Sequence, residues 1–184
     1  MSTILSLVFP PGITSTSGIN CGGLKKWRPI KRSGLLVSAA ISLIGNVLLR
    51  QLSAEADAVE TILFRDGKLT EASASNVFIV KGGVIQSPPK NELILPGITY
   101  DVIVELARAH ALPLEFREIT QAEVRGADEL WVSSSSKEVL AIVQLDGRPV
   151  GDARPGPGFR RMYRLYQDFK HQVMRAGRRE RVSA

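Results

Sequence analysis

"LTEASASNVFIV", residues 69–80, places a lone carboxylate, Glu71, ahead of a run of small residues and a period-2 apolar stretch. Small residues let backbone and ligands approach closely, so the acid has four candidate roles there. It is a turn residue, a metal ligand, a general base or the partner of a buried cation. The apolar stretch "NVFIVK" reads as a strand, and Gly82-Gly83 followed by "VIQS" makes it a hairpin. Pro88 and Pro89 then stop the pairing, because proline has no amide to donate.

Working outward, "VETILFR" (59–65) precedes "DGK", a hairpin turn in which Gly67 tolerates positive φ. Before it, "LIGNVLLRQLSAEAD" (43–57) carries apolar residues at helical spacing. Downstream, in "LPGITYDVIVELARAHAL" (95–112), Pro96-Gly97 breaks the chain and a helix follows, with Thr99 as a candidate cap and Val102, Leu106 and Ala109 on one face. "LEFREIT" reads as a strand, "QAEVRGA" as a short helix, and "ELWVSSSS" and "EVLAIVQL" as two further strands. A Gly- and Pro-rich loop leads into an amphipathic helix, "FRRMYRLYQDFKHQV". Hairpins interspersed with helices, without regular βαβ repeats, predict an α+β fold with a mixed, barrel-like sheet and outer helices. Residues 1–38 show no sustained period and read as irregular. The expected division is therefore a poorly ordered segment at 1–42, a domain at 43–172 and a basic tail at 173–184.

Composition narrows the function classes. With 184 residues, 44% hydrophobic and 23% charged, the chain suits one well-buried globular domain. No apolar run approaches the ~20 residues that span a bilayer. The opening "MSTILSLVFPPG" lacks a basic residue before its apolar core and is a poor signal peptide. A single cysteine, Cys21, excludes an internal disulfide and fits a reducing, cytoplasmic setting. The net charge of +6 is concentrated at Lys25, Lys26, Arg28, Lys31 and Arg32, and at Arg175, Arg178, Arg179 and Arg181. No aromatic side chains interleave them, so they read as solvated ends and not as a nucleic-acid surface.

Two places are rich in hydrogen-bond donors. "PGIT" (96–99) opens a helix whose unpaired amides, at Ile98 and Thr99, point with the helix dipole at one spot. Ser133, Ser134, Ser135 and Ser136 cluster at a strand end. Taken singly, these read as a helix cap and a polar loop; together with Glu71 they could describe one site, with a phosphate between the two donor groups and the carboxylate some way off for a protonated ring nitrogen.

"LTEASASNVFIVKGGVIQSPPKNELILPGITYDVIVELA" (69–107) and "ADELWVSSSSKEVLAIVQLDGRPVGDARPGPGFRRMYRLY" (127–166) resemble the class IV aminotransferases, pyridoxal phosphate enzymes of fold type IV. The resemblance covers about residues 43–172 and is nearest to D-amino-acid aminotransferases, with branched-chain aminotransferases and aminodeoxychorismate lyases as relatives. It implies pyridoxal 5'-phosphate as cofactor, an amino acid and a 2-oxo acid as substrates, and a homodimer in the cytoplasm, without nucleic acid or membrane. It also implies residue roles. Glu71 pairs with the pyridine nitrogen, Leu95 packs on the ring, and Ser73, Ser75 and Gly97 belong to the cofactor's surroundings. Ile98, Thr99, Ser134 and Ser135 hold the phosphate.

The resemblance fails at one residue on which the chemistry depends. The family's lysine, which links to the cofactor and shuttles the proton, belongs six residues before the glycine of a Gly-Asn-Val-Leu segment. That segment is 45–48, and the position is Ala39; the nearest lysine, Lys31, lies eight residues further upstream. Only a short stretch precedes the matched region, where the family has an N-terminal domain. The expectation is a truncated or rearranged relative with little or no transaminase activity and weak, non-covalent cofactor binding. The alternative is a non-catalytic binding or assembly module.

Overall fold

The computed structural model describes residues 3–9 and 39–174. Chain order is β1 (Thr3–Phe9), α1 (Ala39–Glu55), β2 (Glu60–Arg65), β3 (Lys68–Ala72), β4 (Asn76–Lys81) and β5 (Val84–Ser87). Then come α2 (Ile98–Ala109), β6 (Leu114–Phe116), α3 (Gln121–Arg125), β7 (Glu129–Ser134), β8 (Glu138–Ile142), β9 (Gln144–Leu145), β10 (Arg148–Pro149) and α4 (Pro157–Phe169). One π-helical turn, Lys170–Met174, continues α4.

The strands form two five-stranded sheets, β10-β9-β1-β2-β3 and β6-β5-β4-β7-β8. All pairings are antiparallel except β5 with β6, so the arrangement is a mixed α+β one, and neither sheet closes into a barrel. The chain passes between the sheets at residues 73–75, which link β3 to β4, and at Val143, which links β8 to β9.

Local chemistry explains the hairpins. Asp66 and Gly67 both take positive φ, 52° and 77°, the left-handed pair that matches strand twist in a two-residue turn. Gly82 and Gly83 repeat it at 58° and 79°. Strand β4 is apolar on both sides because both sides are covered. Val77 and Ile79 join the core between the sheets with Ile62, Phe64, Leu130 and Val132. Phe78 and Val80 face the second core, where Tyr100, Ile103 and Ala107 of α2 and Met162 and Tyr166 of α4 pack on Trp131. Continuous burial of this kind marks a strand at the centre of a layered fold.

Several expectations need correction. Thr3–Phe9, placed in an irregular segment, forms β1, which pairs with β2 and β9. Its order comes from partners more than fifty residues away, which local periodicity does not report. Helix α1 starts at Ala39, four residues before the expected Leu43. Strand β6 covers only Leu114–Phe116, with a single bridge from Thr120 to Lys68. The run 138–145 is two strands in different sheets. Cys21, Lys31 and the basic clusters lie outside the described residues.

Candidate functional site

A pocket of about 650 Å³ opens where the β3–β4 crossing, the end of β7 and the start of α2 meet. Its lining includes Glu71, Ser73, Ala74, Ser75, Leu95, Gly97, Thr99 and the serines at 133–136, with Val47, Arg50 and Gln51 from α1. The structure thus brings together all the sequence-predicted site residues except Ile98, whose side chain is 82% exposed on the first turn of α2.

The mouth of the pocket is fixed by one side-chain amide. Asn76 Oδ1 accepts from Gly97 N at 3.0 Å, and its Nδ2 donates to Leu95 O at 3.0 Å. Leu95 N donates to Glu71 Oε2 at 2.9 Å, which holds the carboxylate against the same turn. A side chain at 97 would press on Asn76 Oδ1, because an added Cβ lies 3.3 Å from it. Gly97, not Thr99, is the N-cap of α2, and no side chain caps that end. Thr99 is buried and lines the pocket. The first-turn amides of α2 therefore have no cap from residue 97 and carry the positive end of the helix dipole.

The floor is the turn at 73–75, gripped from behind by Glu60. This carboxylate is fully buried. It accepts from Ser73 Oγ, from Ala74 N at 3.1 Å and from Ser75 Oγ at 2.9 Å. Lys137 Nζ donates to it at 2.5 Å, and Arg50 Nη1 lies 3.5 Å away. Burial pushes the Glu60 carboxyl up, but the Lys137 amine and the serine hydroxyls outweigh it and hold the carboxyl below its ordinary value. The protons of Ser73 and Ser75, both expected beside a cofactor, are committed to Glu60.

The far wall is the end of β7. Ser134 Oγ accepts from Lys137 N at 3.2 Å, and Ser135 is exposed in the turn that follows. Ser133 Oγ is buried and, among the described residues, is a side-chain oxygen without a hydrogen-bond partner. A buried orphan hydroxyl in a donor-lined pocket is a place for a polar ligand atom. Sequence reasoning missed Asn76, Glu60, Lys137 and Arg50. Only Asn76, within the quoted motif, had a local signal. Ala39 is the first residue of α1. Among the described residues no group of three or more His, Cys, Asp or Glu side chains is placed to hold a metal ion. No described helix is long and apolar enough to cross a membrane.

A larger groove, about 1030 Å³, lies beside α4 and is lined by Arg154, Arg160 and Arg161. Its helix start is already filled: Glu129 accepts from Gly158 N, Phe159 N and the Trp131 indole.

Comparison with known proteins places the pocket in context. The family Amino-transferase class IV matches residues 3–145. D-alanine aminotransferase of Bacillus licheniformis is 38% identical over 118 residues, covering 64% of this chain and 42% of that protein. The Listeria monocytogenes 10403S enzyme of the same name is 36% identical over 137 residues, 74% of this chain and 46% of its own length. Among solved structures, the branched-chain amino acid aminotransferase of Escherichia coli superposes with a TM-score of 0.63 at 30% identity, covering 66% of this chain and 41% of that one. The T.th. branched-chain amino acid aminotransferase, solved with pyridoxamine 5'-phosphate, gives 0.65 at 27% identity, covering 68% and 42%. The chain spans less than half the length of these relatives.

Proposed function

The chain belongs to the class IV aminotransferase family, and from that premise we propose that its pocket binds pyridoxal 5'-phosphate. One observation carries the reading: an uncapped helix start, an orphan buried hydroxyl and a fixed carboxylate converge on one cavity. In this assignment the amides of Ile98 and Thr99, the Thr99 hydroxyl and the hydroxyls of Ser134 and Ser135 hold the phosphate. Glu71 keeps the ring nitrogen protonated, Leu95 covers a ring face, and Gly97 lets the turn close on Asn76. Ser73 and Ser75 act one step back, shaping the floor through Glu60. Bound in this way, the cofactor supplies an electron sink for the α-carbon of an amino acid.

The reaction of the lineage is amino-group transfer between a D-amino acid, or a branched-chain one, and a 2-oxo acid, by a cytoplasmic homodimer. Ala39 favours a second reading for this chain, a non-catalytic binding or assembly module. A methyl group provides neither a covalent link nor a proton carrier, and positioned proton transfer is worth ~10²–10⁴ in rate. Cofactor binding is accordingly weak and not covalent at residue 39, and turnover is negligible.

The test adds pyridoxal 5'-phosphate to the purified chain and follows its absorbance and fluorescence, then supplies D- and L-amino acids and measures keto acid. Saturable binding with keto acid below detection is the expected result. Ala39→Lys should allow a borohydride-trapped adduct to be mapped to residue 39. Absence of cofactor binding would refute the site, and rapid turnover by the unaltered chain would refute its inactivity.

A further inference from the structure

Glu60 and Lys137 lie on different sheets. Glu60 opens β2, in the sheet that contains β1, and Lys137 sits in the turn from β7 to β8, in the other. Their contact spans 77 residues of sequence and one buried ion pair. Each partner is attached to a different wall of the pocket. Glu60 holds the floor through Ser73, Ala74 and Ser75. Lys137 follows the serine cluster directly, and its own amide donates to Ser134 Oγ. The other described lysines are engaged elsewhere: Lys68 with Glu118, Lys81 with Asp128, Lys90 with Asp101 and Lys170 with Glu138.

We propose that Lys137 is a positioning residue of the pocket: through Glu60 it fixes the distance between the ring floor at 73–75 and the phosphate wall at 133–135. The physical reason is the cost of Glu60. A fully buried carboxylate must have a cation or retreat to a neutral form. Arg50, with half its side chain exposed and at 3.5 Å, is a looser partner than an amine at 2.5 Å with 16% exposure. When the amine is removed, the carboxylate turns toward Arg50 or solvent. Its three bonds to the floor turn then loosen while the serine wall stays on β7. The consequence is specific. A ligand that must touch both walls loses most, because the floor shifts against the wall, and one that touches only the floor loses less.

This inference rests on the cofactor reading above, so its test has an arm that needs no cofactor. The full chain and its Lys137→Met and Lys137→Arg variants are titrated with pyridoxal 5'-phosphate and with pyridoxal, which lacks the phosphate. Amide hydrogen exchange over residues 72–76 is measured without ligand. Lys137→Met should bind the phosphorylated ligand about tenfold more weakly, the equivalent of one charge-assisted hydrogen bond. Its preference for phosphorylated over unphosphorylated ligand should shrink, and exchange at Ala74 should quicken. Lys137→Arg, which restores a cation, should recover most of both. If the methionine variant does not fold, Lys137→Gln takes its place, keeping an N–H donor without charge. Unchanged ligand preference together with unchanged exchange would overturn the proposal. If the unaltered chain binds no pyridoxal 5'-phosphate, the cofactor reading falls, and the exchange arm alone decides whether Lys137 braces the floor.

Discussion

Glu60 and Glu129 are both buried carboxylates, one in each sheet, and they solve the same problem differently. Glu60 has a cation from a distant turn and three donors from one small-residue loop. Glu129 has two amides at the start of α4 and an indole N–H. The second solution needs an approach that only glycine permits: a Cβ at 156 would fall 2.2 Å from Glu129 Cδ. Glu129 is therefore satisfied by a helix end next to it in space, whereas Glu60 depends on how two sheets are held together. Glu129 is the kind of site that stabilises a fold; Glu60, on the proposal above, is the kind that adjusts a pocket.

The comparison breaks most visibly at Glu129. Glu129→Ala strands three donors behind α4 and should cost about 3–4 kcal/mol in chemical denaturation, without changing ligand preference in the pocket. A loss of ligand preference there would erase the distinction between the two corners.

A smaller effect sharpens it. Lys137→Met should cost about 2–3 kcal/mol at neutral pH, since Arg50 remains near the carboxylate. The pH dependence distinguishes this loss from simple packing damage. Because the folded Glu60 carboxyl lies below its ordinary value, its contribution is complete above the unfolded carboxylate range and is lost as pH falls through the folded value. Without the amine, burial is less opposed and the carboxyl rises. Acid unfolding monitored by circular dichroism should then begin at a higher pH than in the unaltered chain.

The smallest effect uses a half-buried surface acid as the reference. Glu123 bonds the Thr120 amide, Arg117 and the Thr120 hydroxyl, which together hold its carboxyl down at about 2. Thr120→Ala removes half of this capping box and should cost about 1 kcal/mol. A carboxyl titration by NMR should show Glu123 moving back toward its ordinary range, while Glu60 does not move.

What the sequence discloses follows the same division between local and distant. The hairpins around Gly67 and Gly82-Gly83 are legible because turn chemistry and alternation lie within a dozen residues. Glu71, Gly97, Thr99 and Ser134 line one pocket, and the sequence suggests grouping them only through the resemblance of its motifs to a family, since each alone reads as a turn, a cap or a polar loop. The parallel partner of β5, the change of sheet at Val143 and the partners of β1 are not, since nothing in those segments names a neighbour far along the chain. In the sequence Lys137 resembles a surface lysine ending a serine run, and Glu60 the first residue of a strand. Their meaning arises only from a contact between positions 77 apart in the sequence.

That separation also sets an order of events as the chain folds. A two-residue turn closes at little entropic cost, whereas closure over a long segment costs more and is repaid only when many contacts form together. The β2–β3 and β4–β5 hairpins can form on their own. The Glu60 carboxylate meets its amine only after β7 has docked on β4 and the two sheets have come together at the 73–75 turn. Until then the acid stays hydrated, and the floor it will grip has no fixed shape. The pocket should therefore take shape late in folding, once the contact that joins its two walls has formed.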